Sequence, residues 1–116
     1  MQLETTTRND ALIVTAMMDR IDAAMAIQFK DDMRTACEGG PGRVVLDLAA
    51  VNFIDSSGLG AIVATMKLLA PDQKLELSAL SENVDKVFRL TRMDSVFAIH
   101  PDTDAAFDNI DIAHAS

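Results

Sequence analysis

The sequence predicts an α/β fold: a mixed, mostly parallel β-sheet with about four α-helices, in a single domain spanning residues 1–116. Three observations predict it. Val44-Val45-Leu46-Asp47-Leu48 is a short apolar run rich in β-branched residues, the pattern of a strand buried on both faces. Strand-like and helix-like stretches alternate along the chain in the order β-β-α-β-α-β-α-β-α. Right-handed crossovers turn such an order into parallel neighbours, and an N-terminal hairpin makes the sheet mixed. Finally, 116 residues, 49% of them hydrophobic and 24% charged, are enough for one core and too few for two.

Leu3 and its neighbours give a short first strand, and Asn9-Asp10 a turn. Ala11 to Met17, with Leu12, Ile13 and Val14, is the second strand. Asp19-Arg20-Ile21-Asp22 leads into a helix whose N-terminus Asp22 is placed to cap. Ala26, Phe29, Met33 and Ala36 or Cys37 form its apolar stripe, and Gly39-Gly40-Pro41-Gly42 ends it. Arg43 to Leu48 is the buried strand. The next helix, Gly58 to Ala70, carries Leu59, Ile62, Val63, Met66 and Leu69 at helical spacing. After the Pro71-Asp72 breaker, Lys74 to Ser78 alternates as a strand. Ser81 caps a helix with Val84, Val87, Phe88 and Thr91 on one face. Met93-Asp94 turns the chain into a last strand, Val96 to Ile99. Pro101-Asp102 then opens a terminal helix running to about Ala113.

The net charge of −8 speaks against nucleic acid, which requires a basic stripe, and against an electrostatic hold on an anionic membrane. It favours a protein partner. Lys67 interrupts the longest apolar run, so no membrane span is expected. Met1-Gln2-Leu3-Glu4-Thr5 shows no charged and then apolar leader, so a cytoplasmic location is expected. The single cysteine, Cys37, excludes an internal disulfide framework and reads as an inert buried thiol.

The polar stretch Asp55-Ser56-Ser57-Gly58 lies where the region of the central strand hands over to a helix, the place where open α/β sheets put functional groups. A serine there, among free N–H groups, suits a phosphate. The bland alternative is that Asp55, Ser56 and Ser57 cap the helix while Gly58 and Gly60 permit close packing, and spacing alone favours it. A nucleophile elbow on Ser56 would need glycine where Ile54 stands, and no His is positioned as a base. A Walker-type loop lacks its Gly-Lys-Ser/Thr ending. His100 and His114 read as surface or helix-end residues, with no metal-ligand spacing to Cys37. Asp102, Asp104, Asp108 and Asp111 fail as a calcium loop, because Phe107 occupies the place of the required glycine; an acidic first helical turn explains Asp102 and Asp104. Met17 and Met18 read as core filling. No cofactor, metal site or catalytic residue is expected.

The segment Val45-Leu46-Asp47-Leu48 … Phe53-Ile54-Asp55-Ser56-Ser57-Gly58-Leu59-Gly60 resembles the signature of STAS-domain anti-sigma-factor antagonists. The likeness extends to Arg20-Ile21-Asp22-Ala23-Ala24, Lys74-Leu75-Glu76-Leu77 and Val84-Asp85-Lys86-Val87-Phe88-Arg89-Leu90-Thr91, and so covers nearly the whole chain. It implies a STAS fold and a switch protein, not an enzyme. The resemblance makes Ser56 the residue phosphorylated by a partner that is both anti-sigma factor and serine kinase, with a histidine-kinase-like ATPase fold. A PP2C-type phosphatase would reverse the modification. Asp22 and Asp55 match acidic positions flanking the serine, and Ser57, Gly58 and Leu59 would share the contact surface. One departure is Asp19, where the family commonly has glycine; it makes the shape of this loop and the choice of kinase open questions. The alternatives are a constitutive STAS subunit of another complex, such as a lipid-transport ATPase or a signalling scaffold, and, less well supported, a small hydrolase using Ser56.

Overall fold

The computed structural model describes residues 2–107. Its N-terminal hairpin pairs β1 (Leu3–Arg8) antiparallel with β2 (Ala11–Ala16), Arg8 opposite Ala11. The two-residue turn Asn9-Asp10 has φ of 49° and 63°. That left-handed pair matches the twist of a hairpin, and Asn and Asp tolerate it better than other side chains. The rest of the main sheet is parallel: β4 (Arg43–Asp47) pairs with β2 and with β6 (Lys74–Ser78), and β6 with β7 (Ile99–His100). The strand order is β1-β2-β4-β6-β7, so β4 is central. Val44, Val45 and Leu46 are fully buried, as a two-sided strand demands.

Three helices connect the strands: α1 (Ala26–Cys37), α2 (Ser56–Leu69) and α3 (Glu82–Leu90). Phe29, Met33, Cys37, Ala61, Ile62, Leu69, Val84 and Phe88 turn inward from them onto Leu12, Val14, Val44, Leu46, Leu75 and Leu77, forming the main core. Burial pushes the Cys37 thiol up to about 11, so it stays protonated and inert. A smaller cluster, Ala11, Ile13 and Val45 with Ala106 and Phe107, covers the other face of the sheet.

Several elements differ from the sequence expectations. The last strand is Ile99–His100 only, because Met93–Ser95 form a 3₁₀ turn entered through Arg92 at φ 61°. Residues 105–107 are helical, with Ala105 N–H donating to Asp102 Oδ1 at 2.7 Å; the remainder of the expected terminal helix, with Asp108, Asp111 and His114, lies outside the described residues. Met18 fills the core, but Met17 is half exposed. His100 is neither a surface nor a helix-end residue: its Nε2 lies 2.8 Å from Glu76 Oε1 on the sheet.

Glu76 is the centre of a polar network on that second face. Arg43 grips it through Nε at 2.6 Å and an Nη2 hydrogen bond at 2.9 Å, and also donates to the Ala106 carbonyl. Burial alone would raise the Glu76 pKa; the hydrogen bonds from Arg43 and His100, with the Arg43 charge, outweigh it and hold the carboxylate below its ordinary value. Nearby, Thr103 donates to Asp47 Oδ2 at 2.9 Å and shares a 2.9 Å hydrogen bond with buried Ser78. No buried side-chain polar atom among the described residues lacks a partner.

Candidate functional site

A second, two-stranded sheet builds the site. β3 (Arg20–Ile21) runs parallel to β5 (Phe53–Ile54), with Arg20 opposite Phe53 and Ile21 opposite Ile54. Two residues per strand are too few to hold by themselves. The anchors are the buried side chains of Ile21 and Ile54 and the Asp19 carbonyl, which accepts from Asn52 N–H at 2.7 Å. Strand alternation then sends Arg20 and Phe53 outward. Asp19 does not lie in the left-handed region, so a side chain is compatible with this turn, and glycine is not required.

From β5 the chain passes directly into α2. Asp55, extended at φ −105° and ψ −176°, is the N-cap: its Oδ1 accepts from Gly58 N–H at 2.9 Å. Its Oδ2 accepts from Ala23 N–H at 3.2 Å, which ties the loop after β3 to the start of α2. The helix therefore begins at Ser56, two residues before the expected Gly58, and the cap is the aspartate rather than the serines. Ser56 and Ser57 are the first two helical residues and both are exposed. Their own N–H groups are among the orphan donors of a helix start.

Gly58 has a structural task. A Cβ there would lie 1.9 Å from the Ile21 carbonyl oxygen, so only glycine lets the first turn of α2 close onto β3. Gly58 is buried and offers no side chain to a partner; the space it leaves is what lets α2 approach β3. Gly60, expected to serve close packing as well, faces open space. Leu59 is half-buried against the core.

Asp22 does not cap α1. That helix starts four residues later, with Met25 at the N-cap position and no side-chain cap. Asp22 instead closes a turn of its own: its carbonyl accepts from Met25 N–H at 3.0 Å and its Oδ1 from Ala24 N–H at 3.1 Å. The turn leaves Asp22 Oδ2 3.7 Å from Arg20 Nε. Arg20 also lies 5.1 Å over the Phe53 ring, and Phe53 is 45% exposed. Neither Arg20 nor Phe53 was singled out by sequence pattern, since a two-residue strand carries no periodicity. The available signal was their position, each one residue before an apolar residue and two before an aspartate.

The arrangement is an exposed hydroxyl at a helix start capped by Asp55, next in the chain to the strand pair that carries the Arg20–Phe53 stack and runs on into Asp22. Among the described residues no His/Cys/Asp/Glu group could hold a metal ion, and no helix is long and apolar enough to cross a membrane. His100, the histidine among the described residues, is committed to Glu76 on the far side of the sheet.

Comparison with known proteins agrees with this fold. The STAS domain family profile matches residues 2–106, and the chain belongs to the STAS domain family. BtrV of Bordetella bronchiseptica, provisionally named an anti-sigma factor antagonist, is 29% identical over 98 residues, covering 84% of each chain. The crystal structure of an anti-sigma factor antagonist from Mycobacterium paratuberculosis superposes with a TM-score of 0.81 at 23% identity, covering 92% of this chain and 91% of that one. The Bacillus cell fate determinant SpoIIAA, in its phosphorylated form, superposes with a TM-score of 0.65 at 19% identity over 93% and 98% of the two chains.

Proposed function

We propose that this STAS domain is an anti-sigma factor antagonist whose hold on its partner is set by the charge on Ser56. The observation that carries the reading is the placement of Ser56. It is exposed at the first position of α2, while Asp55 supplies the cap. The hydroxyl can be modified without dismantling the helix start. The names of the relatives, and the existence of a phosphorylated form of a structural neighbour, point the same way.

Phosphorylation adds about −1.5 to −2 charge units, and the partial positive charge at a helix N-terminus tolerates them. The same charge, set beside Asp22 and Asp55, repels an acidic partner surface and obstructs a close interface. Losing about 3 kcal/mol of binding weakens affinity more than about a hundredfold, so one modification is a sufficient switch. In this reading the unphosphorylated domain binds an anti-sigma factor that is also its serine kinase, of the histidine-kinase-like ATPase fold, and a PP2C-type phosphatase restores binding. Asp22, Asp55, Ser57, Gly58 and Leu59 belong with Ser56 to the contact surface, in a cytoplasmic protein with no chemistry of its own.

The test is a pull-down from native lysate with wild type beside Ser56→Glu. Capture of an ATPase-fold kinase by the wild type and its loss with Ser56→Glu is the expected result. Equal capture of a transporter or scaffold by both forms would overturn it in favour of a constitutive subunit.

A further inference from the structure

We propose that Arg20 is the internal counter-charge for a phosphate on Ser56, and that its recruitment takes the guanidinium off Phe53 and so changes the partner-facing surface. The inference rests on the phosphorylation reading and adds a residue and a local rearrangement to it.

Three observations carry it. Arg20 is on the strand clamped to the start of α2: β3 pairs with β5 two residues before Ser56, Asp55 Oδ2 accepts from Ala23 N–H, and Gly58 allows α2 to close onto the Ile21 carbonyl. Arg20 also faces outward, with Asp22 two residues along its own strand direction and Phe53 across the pair. Lastly, Arg20 is held loosely. Arg8, Arg43 and Arg89 hold their carboxylates at 2.6, 2.6 and 2.7 Å, whereas Asp22 stands 3.7 Å from Arg20, whose side chain is 55% exposed.

A phosphate on Ser56 adds charge to the residue after Asp55, whose Oδ2 accepts from the residue after Asp22. Asp55 is fixed there by its two backbone donors, and Asp22 by its turn. Neither can withdraw without breaking a hydrogen bond. A cation must offset the added charge, and Arg20 can supply it by side-chain rotation alone. A phosphate offers the guanidinium charge-assisted, bidentate hydrogen bonds, which are stronger than an exposed stack or a 3.7 Å ion pair. Phe53 then loses its cationic cover and is free to reorient. Exposed aromatics held in place are frequent anchors of interfaces, so loss of that placement adds to the direct repulsion.

The experiment uses the full chain with phosphoserine installed at position 56 during translation and 4-fluorophenylalanine at position 53. The phosphorus signal is titrated in three forms: otherwise wild type, Arg20→Gln and Asp22→Asn. A nearby guanidinium favours the dianion, so the phosphate should titrate at lower pH with Arg20 than with Arg20→Gln, and lowest with Asp22→Asn, which removes a like charge and the competitor for Arg20. The fluorine resonance of residue 53 should shift on phosphorylation with Arg20 present and stay put with Arg20→Gln. Coincident titrations for Arg20 and Arg20→Gln would overturn the proposal. This readout needs no partner. A failed proposal would leave partner release by Ser56→Glu intact, and a failed pull-down would leave the titration difference intact.

Discussion

Two polar clusters occupy opposite sides of the molecule, and they are built on opposite principles. Around Glu76 the acidic groups are buried or partly buried and gripped: Arg43 at 2.6 Å, His100 at 2.8 Å, and Thr103 bridging Asp47 and Ser78 at 2.9 Å each. Around Ser56 the hydroxyl is exposed, the ion pair is 3.7 Å long, and the aromatic beside it is nearly half exposed. The first cluster fastens residues 103–107 over a sheet face that would otherwise leave Ile13 and Val45 uncovered. Its groups are spent on one another. The second keeps the Ser56 hydroxyl out of the cap of α2, which Asp55 supplies, so the proposed change of charge does not dismantle the helix start. Charged residues concentrate in both clusters, yet only the second presents an exposed hydroxyl.

The sharpest test of this contrast removes Glu76. Glu76→Ala leaves Arg43 without its ion-pair partner and should cost about 3–5 kcal/mol in denaturant unfolding. The same residue sets an acid limit. Its pKa is depressed in the folded state, so its contribution is present above the unfolded value of about 4.3 and is lost as pH falls through the folded one. Melting temperature should therefore drop steeply on acidification in the wild type and less steeply in Glu76→Gln; equal slopes would remove Glu76 from the account.

Within the site, Gly58 is the one position that should behave like the buried cluster. Gly58→Ala forces its Cβ against the Ile21 carbonyl and should cost about 3 kcal/mol by overpacking, whereas Gly60→Ala, with open space around it, should be neutral or slightly stabilising. Equal effects at both positions would show that α2 and β3 are not in close contact. Next in size is Asp55→Ala, which removes the cap of α2 and should cost about 1 kcal/mol, with faster amide exchange at Ala23 and Gly58. At the bottom of the scale, Ser56→Ala and Ser56→Glu should each stay within about 0.5 kcal/mol of wild type. A large loss in Ser56→Ala would make the serine a structural residue and erase the contrast.

The hairpin, the central strand and the inward faces of the three helices were legible from period and composition alone. Val44 to Leu46, the Phe29-Met33-Cys37 stripe and Ser81 as a cap stand as expected. Each depends on neighbours within a turn or a strand, so local sequence encodes it. The sequence places a cap at this helix start but offers Asp55, Ser56 and Ser57 alike for it, and only the backbone path of β5 selects Asp55.

What the sequence by itself determined, then, is the hairpin, the long strands and helices with their buried faces, and the location of the exposed serine. Tertiary structure alone decided the pairing of Arg20 with Phe53, the approach of Gly58 to Ile21, and the meeting of Arg43, Glu76 and His100. The directly contacting pairs are 24 to 37 residues apart in the chain. Their contacts follow from strand register, which is fixed by burial of the apolar residues beside them rather than by anything in the polar residues themselves.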